Sequence, residues 1–528
     1  MNKELLKELN EQQGKIIHST DKKIIVSAGP GSGKTYTIVK KIEQEFLNNK
    51  DNNIIVTSFT KEASKQLKDK ISTSTDINDS YVGTLDSFIL KEIIEPYKNR
   101  YLQCRGYNSI DKIKYKMPNR NSSVEIITRQ GIKNYNIDTI KHELRRWVAD
   151  FSNGNYEISS LTYLIAIDLL RKIPSAKKYI QAKYSAIYVD EAQDLNQFQH
   201  KFIAYLVDVC GLNSVLIGDK NQSIYKFRGS RPELFYNLKE TAGYIEYKIT
   251  ISMRCHPSIL FFSNLVIGDI NNRYKGENHV YLDVSPTYEN LVNMDKKFMI
   301  LFENNDDAIK CYKECKEKKI NAIYTKRIYF EDKDFENDYL ELIEEILRFR
   351  CNIFNKNPKL VYSIDTFQNF LADSYIMINS KVLNLITDYK HSVFDYVISI
   401  LNILKIDIDK KIYNDLKLKL NDSMVFNHYI NYENVNRIMT IHSSKGLEAD
   451  CVFVVISNIP YRYDDEYRRK LFVAFSRAKN YLYISYKNFN INKSQLDSDL
   501  RKNYAIVNND LINLIISFYL FTNSYEID

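Results

Sequence analysis

The sequence has 528 residues, of which 44% are hydrophobic and 27% are charged. This balance excludes wholesale disorder, and at about 100–200 residues per domain the length predicts roughly three to four domains. The 74 lysines and arginines exceed the 66 acidic residues, and the net charge of +8 permits a polyanionic partner without demanding one.

The ends of the chain and its cysteines indicate a cytoplasmic protein. Residues 1–7 mix acids and bases without an apolar core, so we expect no signal peptide. The longest apolar stretch, 511–521, is shorter than the about 20 residues that cross a bilayer. Seven widely spaced cysteines favour a reducing compartment. Cys311 and Cys315 lie one helical turn apart, and because a zinc or iron–sulfur site needs about four ligands, we interpret them as two thiols on a helix.

Short apolar runs predict the strands of an α/β protein. Most of them lack strict alternation, which is typical of parallel strands covered by helices on both faces. They fall into two groups, one within 20–90 and 184–245 and the other within 245–325 and 435–490, so we expect two sheets. Insertions at about 91–182 and 328–430 interrupt the groups. The predicted strands span residues 23–27, 53–57, 186–189, 214–217, 247–251, 437–441, 451–456 and 481–486.

The first predicted strand runs into a glycine-rich loop that ends in Gly-Lys-Thr and opens an apolar helix. Glycines let consecutive N–H groups curl around phosphate oxygens, and the helix N-terminus adds partial positive charge. We therefore expect an ATP-binding loop in which Lys34 reaches the β- and γ-phosphates and the Thr35 hydroxyl binds Mg²⁺. The strict pattern has a glycine at the first position, where this chain has alanine. The loop residues are Ala28, Gly29, Pro30, Gly31, Ser32, Gly33, Lys34 and Thr35.

The strand predicted at 186–189 ends in two adjacent carboxylates. A random Asp-Glu pair is usually a solvated loop end, but this pair directly follows a buried strand in a chain with a phosphate loop. We expect Asp190 to hold Mg²⁺ through water, and Glu191 to orient and deprotonate the water that attacks the phosphate.

Further motifs, taken together, resemble the UvrD/Rep type of superfamily 1 helicases. They are LNEQQ (9–13), TSFTKEA (57–63), VGTLDSF (82–88), DEAQD (190–194), GDKNQSIYKFRG (218–229), SMR (252–254), TIHSSKGLE (440–448) and VAFSRA (473–478). The resemblance implies two RecA-like, parallel-sheet P-loop domains, each with a mainly helical insertion. Domain 1A would comprise 1–90 and 183–245, insertion 1B 91–182, domain 2A 246–327 and 431–490, a reduced 2B-like insertion 328–430, and a C-terminal tail 491–528.

The resemblance also implies roles around the nucleotide. Gln13 would read the adenine edge, Gln222 would sense the γ-phosphate, and Glu448 would contact the ribose. Arg254 and Arg477 would clamp the γ-phosphate from the second sheet domain, so that ATP closes the cleft between the domains. Two positions depart from the family: Met253 replaces a tyrosine that stacks on adenine, and Tyr36, which replaces an arginine, is the candidate to stack instead.

The resemblance implies a DNA-binding role for Phe59, Thr84, Tyr225, Phe227 and His442. Aromatic rings stack on bases without sequence preference, although in a chain this rich in tyrosine and phenylalanine a ring is more often core. His442 would contact DNA or link it to the ATP site.

Two features of the first insertion are open to a plainer explanation. Trp147 lies in an apolar, helix-like run, and we predict that it is core. Between residues 97 and 120 there are seven lysines and arginines against one acid. Lysines at 112, 114 and 116 would share one face of a strand, where they would suit phosphate contact or protect a sheet edge equally well.

These features predict a Mg²⁺- and ATP-dependent DNA helicase or translocase, with hydrolysis stimulated by single-stranded DNA and, by resemblance, 3′ to 5′ polarity. The compact chain further resembles the helicase-like subunit of the Gabija anti-phage system. That resemblance implies a hetero-oligomer with an ATPase–Toprim nuclease partner. Two alternatives remain at this point: a sensor subunit that licenses a nuclease without processive unwinding, and a housekeeping DNA-repair helicase.

Overall fold

The computed structural model describes most of both predicted sheet domains and parts of the insertions. The described residues are 10–48, 52–59, 61–72, 77, 79–111, 113–116, 126, 128–129, 137–157, 159–268, 276–282, 285–287, 291, 294, 296–324, 343, 346–347, 392–403, 408–421, 435–456 and 465–486. The predicted tail and the apolar stretch 511–521 lie outside them. Within these ranges, no helix combines the length and the apolar character needed to cross a membrane.

Strands and helices alternate along the two halves of the chain. The strands are β1 (Lys23–Ala28), β2 (Ile54–Thr57), β3 (Tyr81–Gly83), β4 (Lys114–Lys116), β5 (Asn155–Glu157), β6 (Ala186–Val189), β7 (Asn213–Gly218), β8 (Ile245–Ile249), β9 (Val280–Leu282), β10 (Phe298–Phe302), β11 (Ala322–Tyr324), β12 (Asn436–Thr440), β13 (Ala449–Ile456) and β14 (Ala478–Tyr486). The α-helices are α1 (Glu11–Ile17), α2 (Lys34–Asn48), α3 (Lys61–Ser72), α4 (Leu85–Phe88), α5 (Glu95–Cys104), α6 (Ile137–Ser152), α7 (Leu161–Lys172), α8 (Pro174–Lys183), α9 (Gln197–Asp208), α10 (Pro232–Tyr236), α11 (Leu238–Thr241), α12 (Pro257–Val266), α13 (Asn305–Glu317), α14 (Val393–Ile403), α15 (Lys410–Leu420) and α16 (Asp465–Phe475).

The strands form two six-stranded sheets, and every pair of neighbouring strands in them is parallel. The first sheet has the order β3-β2-β6-β7-β1-β8, and the second has the order β11-β12-β10-β13-β14-β9. The two-sheet α/β prediction is therefore confirmed. Because parallel strands end at the same edge of a sheet, the loops after β1, β6 and β7 meet in one crevice.

Both faces of each sheet are buried, as the continuous apolar runs predicted. Successive residues of β1 alternate between two hydrophobic clusters: Ile25 packs in one, and Ile24 and Val26 pack in the other. The second sheet repeats the pattern in β10, where Met299 and Ile300 belong to different clusters. Helices cover these faces, so each sheet is the centre of its own core.

One strand belongs to a different sheet from the one predicted. The run at 247–251 was grouped with the second sheet, but β8 pairs with β1 at the edge of the first sheet. The grouping was wrong because sequence separation does not fix which sheet a strand joins. The first sheet consequently ends near residue 250.

The predictions for the tryptophan and for the cysteine pair are confirmed. Trp147 is 1% exposed and its ring lies 5.1 Å from that of Phe151 and 5.2 Å from that of Tyr156. Cys311 and Cys315 both lie on α13, as two thiols on one helix. In the basic stretch, β4 pairs with β5, but the side chains of Lys112, Lys114 and Lys116 lie outside the described part.

Candidate active site

The glycine loop after β1 requires glycine at two positions. Gly31 has φ +67° and Gly33 has φ +79°, in the left-handed region that side chains disfavour. A Cβ atom at Gly31 would lie 2.3 Å from the Cβ of Arg254, and one at Gly33 would lie 2.8 Å from Nε2 of Gln13. The loop is thus enclosed by a helix of its own domain and by the segment that carries the first predicted clamp arginine.

Lys34 and Thr35 stand at the start of α2 as the loop pattern predicted. The Lys34 ammonium lies 3.4 Å from the carbonyl oxygens of both Ala28 and Gly29, so the side chain turns back toward the start of the loop. The Thr35 hydroxyl lies 3.5 Å from Oδ2 of Asp190. The phosphate loop therefore meets the end of β6. The Lys34 ammonium, the Thr35 hydroxyl and the Asp190 carboxylate lie at the same end of the sheet.

The carboxylate pair after β6 is held by an unusual backbone conformation. The Asp190 N–H donates to the carbonyl of Thr57 on the neighbouring strand β2 at 2.9 Å. Glu191 has φ 56° and ψ 40°, which a side chain bearing a Cβ adopts rarely and at a cost. Its N–H donates to Asp190 Oδ1 at 2.9 Å, and its carboxylate accepts a hydrogen bond from Gln193. Such strain persists where surrounding contacts impose it, and here it fixes the backbone of the predicted base.

Carboxyl groups outnumber cations around the pair. Burial raises the pKa of Asp190 to about 6, and the negative charge of Glu191 adds to the shift. Burial also acts on Glu191, but the charges of Lys445 and Lys34, the hydrogen bond from Gln193 and the charge of Arg477 together outweigh it and lower the pKa of that carboxyl. The cleft therefore holds an ionised Glu191 beside a group that readily takes up a cation. The four carboxyl groups and three cations are Asp190, Glu191, Asp194 and Asp219 with Lys34, Lys445 and Arg477.

Lys445 is a site residue that the sequence reasoning missed. Its ammonium is ion-paired with Asp194, lies 4.0 Å from Glu191, and donates to the carbonyl of Gln222 at 3.2 Å. Burial opposes its charge, yet Asp194 and Glu191 hold the pKa of Lys445 above its usual value. Burial also raises the pKa of Asp194, to about 7. The shift of Asp194 opposes the ion pair and that of Lys445 favours it, and we regard both groups as charged at neutral pH because the direct contact with the ammonium stabilises the carboxylate. Lys445 lies inside the motif at 440–448, which was the signal available in the sequence.

Arg477 reaches from the second domain to a first-domain residue. It is 2% exposed, and its Nη2 lies 3.4 Å from Oε1 of Gln222, the predicted γ-phosphate sensor. Its Nε donates to the carbonyl of Val473 at 2.9 Å, and its Nη1 to that of Leu447 at 3.3 Å. Burial, and then the charge of Arg254, lower the pKa of Arg477 to about 10, so the guanidinium is still protonated at neutral pH.

Arg254 lies beside the glycine loop and is paired with a carboxylate. The N–H of the preceding Met253 donates to the carbonyl of Gly31 at 2.9 Å. The Arg254 Nε lies 2.5 Å from Oε2 of Glu448, the residue predicted to contact ribose, and Lys479 lies 2.7 Å from Oε1 of the same carboxylate. The structure thus brings both predicted clamp arginines to the cleft, together with a lysine that the sequence reasoning had not singled out.

The predicted adenine side contains Gln13, Tyr36 and Met253. Gln13 is fully buried in α1, where it forms a capping box with Asn10, and its Nε2 lies 3.2 Å from the carbonyl of Ser32. Met253 is 66% exposed, and the Lys40 ammonium lies over the Tyr36 ring at 5.6 Å. Gln13 therefore supports the phosphate loop, and the adenine contacts of Gln13 and Tyr36 stay predictions.

Two of the predicted DNA-binding aromatics contact each other. The rings of Phe59 and Tyr225 are stacked with centroids 5.1 Å apart. The Lys445 ammonium lies over the Tyr225 ring at 5.0 Å, so the same lysine touches the carboxylates and the aromatic pair. The Arg228 guanidinium lies 5.3 Å from the centre of that ring.

For the other predicted DNA contacts, the structure gives the surroundings of His442 and Thr84 and the backbone of Phe227. Burial, and then the charges of Lys470 and Arg228, lower the pKa of His442 to about 4, so this histidine is neutral at pH 7. The Thr84 hydroxyl caps α4 by accepting from the N–H of Ser87 at 3.3 Å. The backbone of Phe227 lies in a short helical turn, but its side chain is outside the described part.

The oxygen ligands fit Mg²⁺ as a partner of bound phosphate. Mg²⁺ typically takes one or two protein oxygens, with phosphate oxygens and water completing the shell. The Thr35 hydroxyl and the Asp190 carboxylate provide such a pair. When bound, Mg²⁺ would neutralise charge on the phosphates.

The raised pKa of Asp190 predicts a pH dependence for Mg²⁺. Because a proton and the cation compete for the same carboxylate, the Mg²⁺ concentration for half-maximal ATP hydrolysis should rise as the pH falls through about 6. We expect a rise of about tenfold per pH unit below that value, and little change above it. Titrating Mg²⁺ at a series of pH values measures this. A requirement that is the same from about pH 7 to about pH 5 would contradict the assignment of Asp190 as a ligand.

Comparisons with known proteins agree with this arrangement. A model of the UvrD/REP helicase N-terminal domain matches residues 9–162 and 148–243, and a model of the UvrD-like helicase C-terminal domain matches residues 437–485, together more than half of the chain. The Gabija protein GajB of Bacillus cereus (strain VD045) is 26% identical over 489 residues, which cover 87% of this chain and 92% of that protein. ATP-dependent DNA helicases PcrA of Staphylococcus aureus (strain Mu50) and of Staphylococcus epidermidis (strain RP62A) are each 24% identical over 267 residues, or 43% of this chain and 35% of those proteins. Because models of both helicase domains match, and together they cover more than half of the chain, the chain belongs to the UvrD/REP helicase family.

Proposed function

We propose that the chain is a Mg²⁺- and ATP-dependent motor on DNA, whose hydrolysis of ATP is stimulated by single-stranded DNA and which moves 3′ to 5′. The observation that carries this proposal is the meeting of two domains at one cleft. Lys34, Thr35 and the carboxylates lie on the first side, and Arg254 and Arg477 come from the second.

The chain's own groups can perform each part of hydrolysis. Lys34 would bind the β- and γ-phosphates, and Thr35 and Asp190 would hold Mg²⁺ against them. Glu191, ionised and fixed by its backbone, would take a proton from the water that attacks the γ-phosphorus, as the bond to the ADP oxygen breaks. Arg254 and Arg477 would stabilise the charge on the phosphoryl group in transfer.

The proposed coupling to DNA runs through Lys445 and Tyr225. Lys445 contacts Asp194 and Gln222 at the nucleotide side and the Tyr225 ring at the other. Tyr225 also packs against the hydrophobic cluster of the second domain. A base that parts Phe59 from Tyr225 would therefore displace a ring in contact with both domains, which is a physical route from DNA binding to cleft closure.

The aromatic pair yields a direct prediction. Phe59→Ala should weaken binding of single-stranded DNA by about 1–3 kcal/mol, because one stacking surface is removed. Fluorescence anisotropy with a labelled oligonucleotide and no nucleotide measures the change. Phe59→Tyr keeps the ring and should bind like the parent chain. Equal affinities of the alanine and tyrosine variants would show that the ring does not stack on a base.

A two-part assay tests the motor itself. Hydrolysis of ATP by the purified chain should rise when single strands are added, and streptavidin should be displaced from one end of a biotinylated strand only. Equal turnover with and without DNA would contradict the proposal. DNA-stimulated hydrolysis without displacement of streptavidin or of a paired strand would favour a sensor that licenses a partner.

We further propose that the motor acts in anti-phage defence beside a nuclease of the ATPase–Toprim type. The similarity to the Gabija protein GajB supports this, since it extends over 92% of that protein. Copurification of the full chain with the product of a neighbouring nuclease gene tests the partnership. Absence of such a neighbour, or of a complex with it, would favour a DNA-repair role instead.

A further inference from the structure

Each oxygen of the Glu448 carboxylate has its own cation. Arg254 Nε lies 2.5 Å from Oε2, and Lys479 Nζ lies 2.7 Å from Oε1. The three side chains are 27%, 35% and 38% exposed for Arg254, Glu448 and Lys479. The cluster is therefore partly exposed beside the glycine loop, where water reaches the charges without screening them fully.

Backbone contacts hold Glu448 and Lys479 together independently of the arginine side chain. Glu448 directly precedes β13 and Lys479 is near the start of β14, and these strands pair in register at Ala449 and Ala478. The carbonyl of Lys479 accepts a hydrogen bond from the N–H of His256 at 2.7 Å, which ties β14 to the segment that bears Arg254. The backbones that carry the lysine, the carboxylate and the arginine are thus fixed relative to one another, so a change of partner would require only the Arg254 side chain to move.

In the proposed hydrolysis, the Arg254 side chain changes partner. Its guanidinium would leave Glu448 for the γ-phosphate, and the carboxylate would then face the polyphosphate with one cation fewer. Unpaired, half-buried carboxylates are unfavourable and repel anions. The Lys479 ammonium is already seated on the other oxygen, so the carboxylate would keep a partner and its orientation.

The pKa of Glu448 reflects its contacts with both Lys479 and Arg254. Burial raises the pKa of Glu448, but the hydrogen bond from Lys479, followed by the charge of Arg254, brings it below its usual value. The contact from Lys479 thus acts more strongly on the carboxylate than the charge of Arg254 does. Departure of Arg254 leaves the larger stabilising contact in place.

We propose that Lys479 is a positioning residue for nucleotide binding, which holds Glu448 in place while Arg254 moves to the phosphate. The inference rests on the proposed ATP hydrolysis and deepens it. Two other roles of Lys479 are a surface ion pair without effect on ATP binding and a direct contact with phosphate. Only the positioning role requires Glu448.

A double-mutant cycle on the full chain tests this role. Lys479→Met keeps the aliphatic stem of the side chain and removes the charge, and Glu448→Gln removes the charge of its partner. In the parent chain, Lys479→Met should raise the KM for ATP roughly three- to fivefold, the scale of a partly exposed ion pair. It should leave kcat within about twofold, because the lysine does not touch the reacting atoms. In the Glu448→Gln background, Lys479→Met should have no further effect.

Two further variants separate positioning from a general effect on the protein. Lys479→Arg should restore the parent KM. Lys23 also pairs with a carboxylate, Asp208, at 2.7 Å with side chains 32% and 50% exposed, but it lies at the opposite end of β1 from the phosphate loop. Lys23→Met should therefore change neither KM nor kcat.

The outcomes distinguish this inference from the proposed function. A parent chain that does not hydrolyse ATP would overturn the proposed function itself. A parent chain that does hydrolyse ATP would overturn the role of Lys479 if Lys479→Met leaves KM unchanged, acts on kcat alone, or raises KM equally with and without Glu448. The last result would assign Lys479 to the phosphates directly.

Discussion

Glu191→Gln is expected to lower kcat for ATP hydrolysis by roughly 10²–10⁴-fold while ATP still binds. Glutamine has nearly the shape of glutamate but cannot accept a proton from the attacking water. Burial raises the pKa of Glu191, but the charges of Lys445, Lys34 and Arg477 and the hydrogen bond from Gln193 together lower it, so the base is ionised at neutral pH and the variant loses a proton acceptor. Single-turnover hydrolysis, with binding of a fluorescent ATP analogue measured alongside, separates the two steps.

A matched control is available outside the carboxyl groups of the site. Glu92 is 15% exposed on its side chain and is paired with Lys183 at 2.9 Å. Glu92→Gln should keep parent hydrolysis. If Glu191→Gln also retained more than about a tenth of the parent rate, Glu191 would not be the general base, and Asp194 would become the candidate.

Arg254→Ala is expected to lower kcat by about 10³-fold or more, because an arginine aimed at the transferring phosphoryl group contributes on the order of 10³–10⁵ in rate. Arg254→Lys should recover only part of the loss, since an ammonium lacks the planar fork of donors. Rapid-quench hydrolysis at saturating ATP measures both variants. Parent kcat in the alanine variant would remove Arg254 from the phosphoryl group.

Arg254 is a cleaner test of the clamp than Arg477. The Arg477 side chain is fully buried and donates to the carbonyls of Val473 and Leu447 as well as to Gln222. Truncating it would leave buried acceptors without partners and would destabilise the fold together with the site. Arg254 is partly exposed, and its removal leaves Glu448 on Lys479.

The sheets could be predicted because their sequence signal is local. Each predicted strand overlaps an observed one, since continuous apolar runs bounded by loop residues have few other structures open to them. Four strands of the two sheets, β3, β9, β10 and β11, were not predicted; three of them have only three residues, and β10 is a buried apolar run of five residues like the strands that were predicted. The sheet of β8 depends on its pairing with β1, which lies more than 200 residues away in the sequence.

The site was predictable to the extent that its chemistry lies within motifs. The glycine loop and the Asp-Glu pair carry their spacing in the sequence, and the structure brings Thr35 and Asp190 together. Direct ion pairs between motifs were not predicted. Lys445 and Asp194 are 251 positions apart, and only the tertiary fold makes them partners. The pairing of Glu448 with Arg254 was missed for the same reason, because the resemblance assigned each of them to the nucleotide.

The central claim is that one nucleotide is bound by both domains at once. A crystal structure of the chain with ADP, Mg²⁺ and aluminium fluoride, which mimics the phosphoryl group in transfer, tests it most directly. Lys34, Arg254 and Arg477 should each lie within hydrogen-bond distance of the fluoride ligands, about 2.7–3.2 Å, with Glu448 released from Arg254 and still on Lys479. A nucleotide bound by the first domain alone, with Arg254 still on Glu448 and Arg477 turned away from the fluoride, would contradict the claim.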